Sequence, residues 1–270
     1  MNFSKEVMER FYQERLKNSG KTKKDFMNGA EYTEALPSDF SIELVNGCIS
    51  RCVMCDAHKE KIQYIGIDFF KEAIEKIAPY CKQLTLSGYG EPLMHPEIKQ
   101  ILNNIKSYNI ALTLCTNAIL LDRSIIEILL DMPNSIVRVS LDATRRDTYK
   151  SIRGVDCFNR VISNIKALLE AKKTKRSGLQ VMINFIVMRQ NAGQMICLLK
   201  MFKNYDVSKY IFNRLRTERT FMEYLKSMRY RQLLLFFQKC EAFKTKYNRH
   251  ILKVRDYAKE NNIDVKTVLL

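Results

Sequence analysis

From Phe40 to about Phe212, short apolar runs alternate with longer stretches in which apolar residues return every three or four positions. The runs FSIELV, QLTLS, IALTLCT, IVRVSL, LQVMINFIV and KYIFN have the length and β-branched content of strands. Helical periodicity fills the gaps, near Asp68–Tyr80, Pro96–Tyr108, Asp122–Asp131, Phe158–Lys173 and Ala192–Asn204. Six strands alternating with five helices predict an α/β fold, a parallel sheet or partial (β/α)6 barrel whose strands are covered by helices. In such folds function belongs at the C-terminal ends of the strands.

Outside this region the pattern changes. The first 36 residues predict an amphipathic helix and a Gly/Lys-rich connector, with Pro37 and Ser38 punctuating entry into the core. After Leu215 the strand pattern stops, and the remaining residues look helical and basic, without Gly or Pro. The expected division is therefore a helical extension over 1–36, a core over 37–215 and a basic helical tail over 216–270. No repeat of fixed period and no low-complexity tract appears.

Composition narrows the function. At 270 residues and 46% hydrophobic, the chain can bury one substantial core. Its longest apolar stretches, Ile125 to Leu130 and Leu233 to Phe237, fall far short of the roughly 20 residues of a membrane span. The N-terminus mixes both charge signs where a signal peptide carries an apolar run of about 7–15 residues. A cytoplasmic protein is expected, and there eight cysteines suggest metal or redox work more than disulfides. The net charge of +16 would suit a polyanion. It is dispersed, however, over Lys21, Lys23 and Lys24, then Lys172, Lys173, Lys175 and Arg176, then the looser segment Arg214 to Arg231. Solvated surfaces account for it better than nucleic acid, which has no recognised motif here.

The sharpest chemical signal is NGCISRCVMC, which sets Cys48, Cys52 and Cys55 in CxxxCxxC spacing directly after the first predicted strand. Three thiolates from one loop can each bind an iron of a cubane cluster, leaving the fourth iron open to a cofactor. The competing readings are a zinc site completed by His58 or a distant residue, and chance core cysteines.

In this position the motif resembles that of the radical S-adenosylmethionine (radical SAM) superfamily, and the resemblance extends over about Asp39 to Asn213. It implies a [4Fe–4S] cluster on Cys48, Cys52 and Cys55 and S-adenosylmethionine chelated to the open iron. Reductive cleavage of that cofactor gives a 5′-deoxyadenosyl radical for hydrogen abstraction, the protein supplying position and shielding. SGYGEP, Ser87 to Pro92, resembles the family's glycine-rich stretch: Gly88 and Gly90 would allow close backbone approach, and Glu91 would take a charged amino group. LCTNA resembles a TNG stretch, keeping Asn117 but placing Ala118 at the glycine position. RVSLDA resembles SLDG, with Ser140 and Asp142 alternating onto one face toward the cofactor. Arg153 in YKSIRG is similar to an arginine that pairs with the cofactor carboxylate. Asn184 interrupts the fifth strand where a polar residue faces the cofactor, and Met54 sits where an apolar residue packs beside adenine.

Departures are visible too. Ile49 stands where the family commonly has asparagine, and Cys81, Cys115, Cys157, Cys197 and Cys240 are scattered, with none in CxxC. Cys115 and Cys197 fall in apolar patterns and are expected in the core. The segment after Arg216 lacks the cysteine array that holds auxiliary clusters in many relatives. The resemblance implies a peptide or small-molecule substrate and a one-electron reductant such as a flavodoxin or ferredoxin. A cluster-binding relative without turnover, acting as a scaffold, is the alternative.

Overall fold

The computed structural model of the protein describes residues 4–132, 134–214 and 230–267, with side chains in the last segment from residue 244 onward. The first part of the expected tail over 216–270, up to residue 229, and with it most of the basic segment from Arg214 to Arg231, lies outside these residues. Among them no helix is long and apolar enough to cross a membrane.

Helix α1 (Lys5–Met27) precedes β1 (Asp39–Ile42) and a short antiparallel pair, β2 (Val45–Asn46) and β3 (Gln63–Tyr64), which brackets the cysteine loop. Then follow α2 (Ile67–Ile77), β4 (Gln83–Leu86), α3 (Ile98–Ser107), β5 (Ala111–Thr116), α4 (Arg123–Leu130) and β6 (Ile136–Ser140). The chain continues through α5 (Arg146–Arg153), α6 (Phe158–Lys175), β7 (Gln180–Val187), α7 (Met195–Met201), β8 (Lys209–Arg214), α8 (Tyr230–Glu260) and β9 (Val265–Thr267).

The seven-stranded sheet runs β1-β4-β5-β6-β7-β8-β9, with every pair parallel. Strands added always in one direction, joined by right-handed crossovers, place their helices on one face and leave the other open. The period-two alternation divides the residues accordingly. Leu84, Leu86, Leu112, Leu114, Val137, Val139, Val181, Ile183, Phe185 and Phe212 are wholly buried in the apolar core. Gln83, Thr85, Cys115, Arg138, Ser140, Asn184 and Asn213 occupy the opposite face, half-buried and mostly polar. All six expected strands have counterparts in this open parallel sheet, the first of them only as far as Ile42.

Three elements differ from the periodicity. The run FSIELV is not one strand: pairing with β4 ends at Ile42, and Val45 turns to pair with Tyr64. Helix α5 has no apolar stripe to announce it, because its buried face is Thr148, Tyr149, Ile152 and Arg153. The tail is not wholly helical, since β9 pairs with β8 (Tyr210↔Val265, Phe212↔Thr267) after α8 has buried Tyr247, Ile251, Val254 and Ala258 in the core.

The N-terminal helix is bound to the core by one buried cation. Arg15 donates to Ala78 O at 2.9 and 3.0 Å, to Tyr108 O at 2.9 Å and to Asn109 O at 3.0 Å. Ala78 and Tyr108 cap α2 and α3, so the guanidinium meets orphan carbonyls at two helix C-termini. Arg15→Met is expected to lower stability by about 3 kcal/mol, read from the denaturant midpoint, because the carbonyls lose a charged donor.

Candidate active site

The cysteine loop leaves β2 through Gly47, whose φ of +115° a side chain would strain. Its floor is the C-terminus of α5. Arg51 N donates to Arg153 O and Val53 N to Ile152 O, both at 2.9 Å. Gly154 makes this docking feasible, because a Cβ there would lie 2.2 Å from Arg51 O. On the other side Glu91 N donates to Gly47 O at 3.1 Å, tying the loop to the end of β4.

Two of the three sulfurs accept hydrogen bonds. Cys48 Sγ receives Ser50 N at 3.4 Å and Asn117 Nδ2 at 3.7 Å, while Cys52 Sγ receives Arg153 Nη1 at 3.6 Å. Burial pushes both thiols above their ordinary pKa; Ser50 and Asn117 oppose it at Cys48, and Arg153 opposes it at Cys52. Cys55 is exposed, and His58 Nδ1 donates to its carbonyl at 3.1 Å.

The three cysteines open onto a cavity of about 330 Å³ at the C-terminal ends of the strands. Of the expected residues, Met54, Gly88, Gly90, Glu91, Asn117, Ser140 and Arg153 also line it. Asp142 and Asn184 do not. Asn184 is the register partner of Ser140, and its Oδ1 accepts from Asn213 Nδ2 at 2.7 Å. Asp142 is wholly buried, because β6 ends at Ser140 and a φ of +33° breaks the alternation that would have turned it beside Ser140. Its carboxylate lies 2.7 Å from Arg153 Nη2 and accepts from Ile186 N, also at 2.7 Å. Burial pushes the Asp142 carboxyl up and Arg153 opposes it. Burial pulls the guanidinium down, but Asp142 and Cys52 outweigh it and hold Arg153 cationic.

The glycine-rich stretch has a local logic of its own. A Cβ on Gly90 would sit 2.0 Å from Val45 O and 2.5 Å from Gly47 O, so this glycine lets β4 pack against the base of the cysteine loop. A Cβ on Gly88 would meet the carboxylate of Glu43, which accepts from Tyr89 N and Gly90 N. Glu91 is buried and already holds Thr116 Oγ1 at 2.6 Å, Asn117 N at 2.7 Å and Leu93 N at 3.2 Å. Burial pushes its carboxyl up against these donors.

Several residues at the site were not anticipated. Glu43 and Ser50 act through partners distant in sequence, and only their proximity to the cysteine motif could have flagged them. Asn191, wholly buried, ties Asp142 O to Ile186 O through two bonds of 2.8 Å, without a local motif. Cys115 lines the cavity and Cys197 is exposed, so neither is the buried core residue its apolar surroundings suggested. The strand alternation puts Cys115 on the open face, beside Arg138.

The donor set suits a cubane cluster. Among the described residues no three His, Cys, Asp or Glu side chains converge on a single metal-ion position. A cubane asks for no such convergence, since each thiolate binds a different iron.

The comparisons agree with this chemistry. The Radical SAM superfamily model matches residues 42–197. An uncharacterised protein of Methanocaldococcus jannaschii is 34% identical over 127 residues, covering 47% of this chain and 42% of its own. A probable GTP 3′,8-cyclase of Saccharolobus islandicus is 29% identical over 176 residues, covering 63% of this chain and 54% of its own. The chain thus spans about half the length of these curated relatives. Among solved structures, Streptococcus suis SuiB bound to S-adenosylmethionine shares the fold with a TM-score of 0.68 at 18% identity, over 93% of this chain and 54% of that one. SuiB bound to its precursor peptide SuiA matches with a TM-score of 0.67 at 19% identity, over 93% and 52%. The cysteine loop, the open parallel sheet and the family match together place this chain in the radical SAM superfamily of enzymes, whose members bind a [4Fe–4S] cluster and S-adenosylmethionine.

Proposed function

We propose that Cys48, Cys52 and Cys55 hold a [4Fe–4S] cluster, that the adjoining cavity takes S-adenosylmethionine, and that the chain uses the pair to abstract hydrogen from a peptide or small molecule. The observation that carries this reading is the meeting of three thiols from one loop with the ends of β4, β5 and β6 on one cavity of about 330 Å³. That volume lies in the range of about 300–1,000 Å³ common for cofactor sites. When bound, the cluster supplies one electron to the sulfonium and thereby a 5′-deoxyadenosyl radical.

The chain's residues divide the remaining work. Asn117 and Arg153 donate to the cysteine sulfurs and hold two ligands in place. Ser140 and Met54 line the cavity, where they would offer the cofactor a hydroxyl and an apolar contact respectively. Gly88, Gly90 and Glu91 shape the wall nearest Cys48. Residues 37–215 form the radical-generating core, to which the extension over 1–36 and the tail over 216–270 are added. The electron comes from a one-electron reductant such as a flavodoxin or ferredoxin. A peptide substrate is supported by the fold shared with SuiB, and a nucleotide by the relatives named as probable GTP 3′,8-cyclases.

Iron analysis after anaerobic reconstitution tests the ligand assignment. About four irons per chain are expected for the wild type and for Cys197→Ser, against less than one for Cys52→Ala. Full iron content in Cys52→Ala would overturn the assignment.

A further inference from the structure

Arg138 has no task in the chemistry proposed above. It lies on β6 in register with Cys115 of β5 and Met182 of β7, on the open face of the sheet. Cys115 lines the cofactor cavity, and so does Ser140, two residues farther along β6 and therefore about 7 Å away. Arg138 thus lies on the sheet floor next to two cavity-lining residues.

Arg138 Nε is buried without a hydrogen-bond partner, and among the described residues no carboxylate forms an ion pair with it. The acids at this end of the sheet are committed elsewhere: Asp142 to Arg153, Glu91 to Thr116 and Asn117, Glu43 to Tyr89 and Gly90. Lys209, beyond Met182 in the register, has its own partner in Asp264 at 2.8 Å. Burial pushes the Cys115 thiol up against the charge of Arg138 and a side-chain hydrogen bond from it, so this neighbour offers the guanidinium a sulfur acceptor but no carboxylate. A half-buried guanidinium that meets no carboxylate among the described residues costs stability, and a fold retains such a group where a ligand completes it.

We propose that Arg138 is an anion-binding residue of the substrate site, holding a carboxylate or phosphate group on the sheet floor beside the cofactor cavity. The planar fork matches either oxyanion in bidentate fashion. Asn184 and Asn213, joined to each other on the same face, offer neutral hydrogen-bonding groups for the uncharged part of the ligand. That the anion belongs to a substrate rests on the radical SAM reading; the anion site itself does not.

Thermal unfolding of the full chain, reconstituted anaerobically and without S-adenosylmethionine or reductant, tests this. Pyrophosphate and glutarate are titrated against sodium chloride of equal ionic strength, into wild type, Arg138→Met and Arg138→Lys. At about ten times its dissociation constant, the matching probe raises the wild-type midpoint by about 3 °C beyond the salt control. The arm that responds tells phosphate from carboxylate. Arg138→Met loses the shift and melts no lower than wild type, while Arg138→Lys keeps a reduced shift. Equal shifts in wild type and Arg138→Met, no shift with either probe, or a lower melting point for Arg138→Met would each overturn the proposal. Failure here leaves iron binding and cofactor cleavage untouched, so the two readings fall separately.

Discussion

Arg153→Leu is expected to destabilise the protein by about 3–5 kcal/mol, because it strands a carboxylate in the interior. The Asp142 and Arg153 side chains are 0% and 7% exposed, and their 2.7 Å contact joins the end of β6 to the helix under the cysteine loop. Without the guanidinium, Asp142 keeps only the Ile186 amide as a donor to its carboxylate. Adding Asp142→Asn removes the stranded charge while preserving that amide's acceptor, so the double variant should regain most of the lost stability. The donor to Cys52 Sγ remains absent in both. Hydrogen bonds to cluster sulfurs raise the reduction potential, so the double variant should fold well yet hold a cluster of lower midpoint potential. Denaturant unfolding and a redox titration followed by electron paramagnetic resonance read the two effects separately. An unchanged potential would mean that Arg153 serves the ion pair alone.

Gly90→Ala is the second substitution with a large expected effect. The new methyl would stand 2.0 Å from Val45 O, 2.5 Å from Gly47 O and 2.8 Å from Val45 C, all backbone atoms that no rotamer can move aside. The cysteine loop must shift, at a cost of about 3 kcal/mol or more, and iron incorporation should fall with it. Gly88→Ala is the internal comparison. Its methyl meets only the flexible end of Glu43, so about 1 kcal/mol and retained iron are expected. Equal tolerance of both changes, measured by iron content and unfolding midpoint, would contradict the packing described for β2 and β4.

How much of this was legible depended on whether the cause was local. The cysteine spacing and the strand alternation are written in consecutive residues, and the six strands appear where expected except that the first stops at Ile42. Helix α5 escaped because Thr148 and Arg153 occupy buried positions that periodicity assigns to apolar residues. Strand β9 is three residues long and follows a long helix, too little pattern for alternation to register. Asp142 was read as continuing the alternation of Ser140, but the strand ends there and its side chain turns inward to Arg153. For Gly90 the position was singled out, yet the atoms it accommodates, Val45 O and Gly47 O, are backbone from another element. Glu43, Asn191 and Arg15 likewise act on backbone groups brought near only by the fold.

The most direct test of the account is the cofactor cleavage itself. The chain is reconstituted with iron and sulfide under anaerobic conditions, reduced with dithionite and given S-adenosylmethionine, and 5′-deoxyadenosine is measured by mass spectrometry. The account predicts its formation by the wild type and its absence in a Cys48→Ala/Cys52→Ala/Cys55→Ala variant. A wild type carrying about four irons per chain that forms no 5′-deoxyadenosine would contradict it.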